Sequence, residues 1–130
     1  MKIGEASLSS GVSQRMIRHY EKIGLMPPAA RRNSGYRDYD ERDLQSLRFI
    51  GHARDLGFPI EEIRQLLALW SDKERSSADV KKIALARASE LKTRIKLLQE
   101  MQRTLQQLAD HCHGDERPEC PILDELGGQA

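Results

Sequence analysis

Apolar residues along this chain recur mostly at helical spacing. In "IGEASLSSGVSQRMIRHYEKIGL" the pattern breaks at Gly11. Beyond it Val12, Met16, Ile17, Tyr20 and Ile23 fall toward one side, and Gln14, Arg15, Arg18 and Lys22 fall on another. The spacing predicts two short helices around a glycine turn, the second capped by Ser13 and closed by Gly24 ahead of Pro27-Pro28. Farther along, "DERDLQSLRFIGHARDLGF" places Leu44, Leu47, Ile50 and Ala53 on one helical face that ends near Gly57. Pro59 opens "PIEEIRQLLALW", with Glu61 and Glu62 favouring a helix N-terminus and Ile60, Ile63, Leu66, Leu67 and Trp70 as its core face. A lone Trp at that spacing is expected to pack between elements.

"SDKERSSAD" is a polar break in which Ser76 or Ser77 can cap the next helix. Residues 79–110 then form one predicted helix without Gly or Pro. Ala88, Leu91, Ile95, Leu98, Met101, Leu105 and Leu108 recur at steps of three and four along it, a coiled-coil seam. A helix about 48 Å long cannot bury such a seam alone, so a second copy of the chain is the expected partner in a twofold homodimer.

Two short helices joined by a tight Gly-containing turn fit a helix-turn-helix, whose second helix enters the DNA major groove. A plain amphipathic hairpin would show the same pattern. The stretch "RRNSGYRDY" adds turn chemistry at Asn33-Ser34-Gly35 flanked by Arg31, Arg32, Tyr36, Arg37 and Tyr39. A basic hairpin beside a helix-turn-helix reads as a wing, with Arg37 and Tyr36 on phosphates and Tyr39 packed on the core.

Charge sharpens this reading. Net charge is only +1 over 130 residues, but residues 1–39 hold seven Lys or Arg against three acids, and residues 110–130 hold six acids against Arg117. A basic front points to a polyanion, with nucleic acid the usual one. The mean hydropathy of −0.64 and the absence of a long apolar run leave no membrane span, and "MKIGEASLSS" lacks the apolar centre of a signal peptide. A cytoplasmic location is therefore expected, where thiols stay reduced.

The only two cysteines, Cys112 and Cys120, bracket "CHGDERPEC". Gly114 and Pro118 exclude a continuous helix there, so the thiols can fold toward each other. Two soft sulfurs suit a soft ion such as Cu(I), whereas zinc generally takes four ligands. His111 and His113 leave a divalent ion open, and thiol oxidation is a further alternative. An enzyme is not expected: the chain has no Gly-rich phosphate loop, nucleophile elbow or paired catalytic carboxylates in a credible pocket.

The stretch "GVSQRMIRHYEKIGLMPPAARRNSGYRDYDERDLQSLRFIGHARDLGF" resembles the DNA-binding domain of the MerR family of transcription regulators. "SADVKK" at 77–82 and "CHGDERPECPILDEL" at 112–126 resemble the copper-efflux-regulator branch of that family. The resemblance implies a mainly α fold: a winged helix-turn-helix domain (residues 1–70), a linker (71–78), a long antiparallel coiled-coil dimerisation helix (79–111), and a metal-binding loop with tail (112–130). It implies DNA contacts from Ser13, Gln14, Arg15, Arg18, Tyr20, Arg31, Tyr36 and Arg37, and a metal held by Cys112 and Cys120. Ser77 stands where divalent-sensing relatives carry a cysteine, which favours Cu(I), with Ag(I) and Au(I) as mimics. It further implies a homodimer on double-stranded promoter DNA shared with RNA polymerase, activating efflux genes by distorting the promoter when the metal is bound.

Overall fold

The structure is a computed structural model that describes residues 1–27, 30–31 and 35–128, with residues 30–31 as backbone alone. It contains two compact units, Met1–Ile83 and Ala84–Ala130.

In the first unit, α1 (Ile3–Ser10) ends at Gly11, whose φ of 77° lets its amide reach the Ser7 carbonyl at 2.9 Å. The chain turns and enters α2 (Gln14–Lys22), where Ser13 Oγ accepts from the Met16 amide at 3.2 Å. Gly24, also left-handed at φ 72°, reverses the chain after α2. A two-stranded antiparallel ribbon comes next, β1 (Ala30–Arg31) with β2 (Arg37–Asp38), pairing Ala30 with Asp38 and Arg31 with Arg37. This is the expected wing; of its Asn33-Ser34-Gly35 turn, Asn33 and Ser34 lie outside the described residues.

Asp40 and Asp43 then form a reciprocal capping box, with N–H to carboxylate distances of 2.9 and 3.0 Å, and start α3 (Glu41–Asp55). The predicted face of α3 is the centre of the core: Leu44, Leu47, Ile50 and Ala53 are all buried. They pack with Ala6, Ile17, Tyr20, Met26, Tyr39, Phe58 and Ile63. Fully burying side chains of this size favours folding by roughly 1.5–3 kcal/mol each. α4 (Ile60–Ser71) begins after Pro59 and contributes Ile63 to the core, with Ile60, Leu66 and Leu67 half-buried against it. Trp70 packs between elements as expected, stacked on Phe49 of α3 at 4.6 Å, yet keeps a solvent-facing edge.

The long helix α5 (Ser77–His111) begins two residues before the predicted start, because Ser76 Oγ accepts from the Ala78 amide at 3.2 Å and caps it there. Ile83, in its first turns, packs against the core. At 35 residues the helix is about 52 Å long. Past its first turns the apolar stripe is open: Ile95, Leu98, Met101 and Leu105 are each more than half exposed. The second unit continues past His111 into an irregular loop and then α6 (Pro121–Leu126). That short helix replaces part of the expected loop and tail; Pro121 sits at its first position, where a missing N–H costs nothing. No helix among the described residues is long and apolar enough to cross a membrane.

Candidate nucleic-acid interface and thiol pair

The outward face of α2 carries Ser13, Gln14, Arg15, Arg18 and Lys22, all exposed. Ser13 spends its hydroxyl on the helix cap, so what it offers outward is the N-terminal turn itself. Gln14 and Arg18 line one side of a groove of about 820 Å³ whose other walls come from α1 and the wing. Tyr36, 61% exposed, stands on the wing side, and Lys2 Nζ lies 5.0 Å from the centre of its ring. Lys2 was not among the expected contacts; nothing local in the sequence ties residue 2 to residue 36. The side chain of Arg31 lies outside the described residues, as does Arg32.

Two of the expected contacts sit differently from the rest. Tyr20 is 4% exposed and packs in the core. Arg37 lines the groove with Arg18 and Tyr36 and is 33% exposed, while its Nη1 also lies 3.2 Å from Glu21 Oε2, whose side chain is only 4% exposed. The Tyr39 hydroxyl donates to the other oxygen, Glu21 Oε1, at 2.5 Å. Burial, reinforced by the Glu21 hydrogen bond, pushes the Tyr39 hydroxyl up from 10.0 to about 12, against a smaller opposing effect of Arg37. Tyr39 therefore remains a neutral donor at ordinary pH. Glu21 Oε2 has no aligned hydrogen bond, and the Arg37 guanidinium is the charge that offsets it.

Cys112 and Cys120 are free thiols, both half-buried. Cys112 closes α5, its amide donating to the Ala109 carbonyl at 3.1 Å. Cys120 precedes Pro121 and serves as N-cap residue of α6, its carbonyl accepting from the Asp124 amide at 3.1 Å. Between them Gly114 takes φ 67°, and Asp115 binds Arg117 through both its amide and its Nε, at 2.9 and 2.8 Å. The Arg117 guanidinium beside it lowers the Asp115 carboxyl below its usual range. His111 Nδ1 lies 2.7 Å from the Gln107 carbonyl one turn earlier. Among the described residues no three or more His, Cys, Asp and Glu side chains are gathered to hold an ion. Two thiols are donors of the kind that suits a soft metal ion. Ser77, the first residue of α5, is exposed.

Residues 1–70 match the family described as MerR HTH family regulatory protein, and residues 44–108 match that described as MerR, DNA binding. The chain is 57% identical to the heavy metal-dependent transcription regulator 2 of Rhizobium meliloti over 97% of its own length and 86% of that protein. It is 40% identical to the transcriptional regulator CueR of Salmonella typhimurium over 98% and 93% of the two chains. Among solved structures it is similar to the transcription regulator PbrR691 of Ralstonia metallidurans in complex with lead(II), with a TM-score of 0.82, 35% identity and coverage of 97% and 98%. With its helix-turn-helix, its wing and its long helix, the chain belongs to the MerR family of transcription regulators, which are not enzymes.

Proposed function

We propose that the chain is a cytoplasmic, metal-responsive regulator that binds double-stranded promoter DNA as a homodimer and activates transcription by RNA polymerase when Cu(I) is held by Cys112 and Cys120. The observation that carries this reading is the thiol pair: the chain's only cysteines, both half-buried and not joined to each other, bracket an irregular loop directly after the long helix. Two thiolates match Cu(I), and Ag(I) or Au(I) equally, in softness and in low coordination number. The metal-dependent naming of the Rhizobium relative supports a metal effector.

Each element has its own task. Residues 1–70 present Ser13, Gln14, Arg15, Arg18 and Tyr36, with Arg31 beside them, to the DNA. Residues 71–78 link this domain to the seam of 79–111, whose open Leu91, Ile95, Leu98, Met101 and Leu105 pair with a second copy as an antiparallel coiled coil. Residues 112–130 hold the ion; the family resemblance puts Ser77, at the start of the partner copy's long helix, where divalent-sensing relatives carry a cysteine, so no third thiolate is supplied. The ion supplies a coupling free energy between the loop and the DNA-bound shape of the dimer. Bending and untwisting the promoter costs a few kcal/mol, so that coupling must be of similar size.

A divalent ion is the second reading. The lead(II) complex of PbrR691 favours it, and so does the His111 bond to Gln107, which leaves Nε2 as the open ring nitrogen. One experiment separates the readings: footprinting and in vitro transcription of wild type, Cys112→Ser and Cys120→Ser, with Cu(I) or Zn(II) under reducing conditions. Each serine variant keeps its footprint and loses copper activation. Activation by Zn(II), or by copper in either variant, would bring in His111 or His113 and reject the two-thiolate site.

A further inference from the structure

Glu21 is the one buried charged residue among the described residues. Removing a carboxylate from water costs several kcal/mol unless it is paired and hydrogen-bonded. An apolar side chain of similar size would fill the same space without that cost. What an apolar residue could not do is fix a direction, and Glu21 has two polar partners on one short extended stretch, β2 and the residue after it. Arg37 Nη1 stands 3.2 Å from Oε2, and the Tyr39 hydroxyl stands 2.5 Å from Oε1.

The spacing of those partners matters. Residues two apart on an extended chain share a face, so Arg37 and Tyr39 reach the same carboxylate while Tyr36 and Asp38 are sent to the other side. Tyr36 is accordingly open to solvent, under Lys2. On α2, Glu21 lies one turn beyond the exposed Arg18. A single buried side chain therefore joins the helix that carries Arg18 to the strand that follows Tyr36. The Tyr39 hydroxyl donates to Oε1 and the Arg37 cation offsets the charge at Oε2, so neither replaces the other.

We propose that Glu21 is a positioning residue for the DNA interface: it locks the wing to α2 through Tyr39 and Arg37, and Arg37 acts inward on this carboxylate and not outward on a phosphate. The proposal rests on the DNA-binding reading above. It turns a charge that looks like a phosphate contact into a strut that sets the distance between two DNA-facing elements.

The two roles of Arg37 leave different marks on salt dependence. A lost phosphate contact flattens the slope of log affinity against log salt by about 0.9 for each contact. A lost strut lowers affinity and leaves the slope where it was. The probe is a duplex selected from randomised DNA by the wild-type protein, with binding measured across a salt series for wild type, Arg37→Met, Glu21→Gln and the double variant.

Each single variant is expected to bind roughly tenfold more weakly, with an unchanged slope. The double variant should be little worse than either single one, because both remove the same strut. A flatter slope for Arg37→Met in both backgrounds, or full affinity in that variant, overturns the proposal. No selected duplex for the wild type overturns the DNA-binding reading and this proposal together.

Hydrogen exchange in Glu21→Gln separates positioning from folding. Faster exchange at the amides of residues 37–39, with Leu47 and Ile50 still protected, is the expected result. Equal loss of protection at all of them makes Glu21 a general stability residue and overturns the positioning role.

Discussion

Arg64 in α4 holds Gly24 at the end of α2: its Nη1 donates to the Gly24 carbonyl at 3.0 Å, and its Nη2 to the Ile23 carbonyl at 3.1 Å. The carbonyls at a helix C-terminus lack intrahelical partners and carry the negative end of its dipole, so a guanidinium is well matched to them. The side chain is 39% exposed, which weakens the charge contribution. Arg64→Met should cost about 1–2 kcal/mol of stability. Arg64→Lys should recover less than half, because an ammonium cannot span both carbonyls as the planar fork does. Urea unfolding with an unchanged m-value checks this; a midpoint equal to wild type in Arg64→Met would reject the clamp.

Arg18 is exposed in the middle of α2, beside Gln14 in the groove. A fork donor there can reach a base edge. Arg18→Ala should therefore weaken binding to the selected duplex by about 1–3 kcal/mol more than binding to mixed-sequence DNA. Parallel gel shifts on both duplexes test this. Equal losses would make Arg18 a phosphate contact only.

The Tyr39 hydroxyl gives an alkaline signature. Its value in the folded chain, about 12, lies above the ordinary 10.0 because burial and the Glu21 bond favour the protonated form. Between those values the folded chain holds a proton that the unfolded chain has lost. Stability from this group is thus complete below pH 10 and disappears as pH rises through 12, with roughly 2 kcal/mol at stake. Tyr39→Phe should be less stable at neutral pH, since Glu21 Oε1 loses its donor. Its stability should also fall less steeply above pH 10, and denaturant unfolding across that range measures both effects.

Leu98 lies mid-seam on α5 and is 54% exposed in the single chain. Leu98→Lys would place two like charges in the centre of the dimer contact, where burying them unpaired is expensive. Lysine is a good helix former, so the helix itself should survive. Sedimentation at micromolar concentration should show monomers with little loss of helical circular dichroism. A persistent dimer would move the interface to another face of α5.

Much of the fold was legible because its signals act within one or two turns. Ser13 and the Asp40–Asp43 pair cap helices through hydrogen bonds three residues long. Leu44, Leu47, Ile50 and Ala53 repeat at helical spacing, and burial follows from that repeat. The basic face of α2 and the thiol pair could be read the same way, as residue types at fixed separations. α6 escaped because six residues are too few to show a period, although Pro121 marked its start.

Sequence by itself thus determined the five longer helices, the winged helix-turn-helix order, the apolar stripe of the long helix and the presence of two thiols. Tertiary structure alone decided which way the amphipathic side chains point. Spacing put the Tyr20 ring on the apolar side of α2, but only packing decided how far its polar tip was taken in with it. Arg37 reads as a surface cation until the fold brings Glu21 beneath it, just as Lys2 is an ordinary terminal lysine until Tyr36 arrives beside it. Caps and periodicity are local free energies, whereas the fate of a charge depends on the dielectric and the partners that distant segments bring to it.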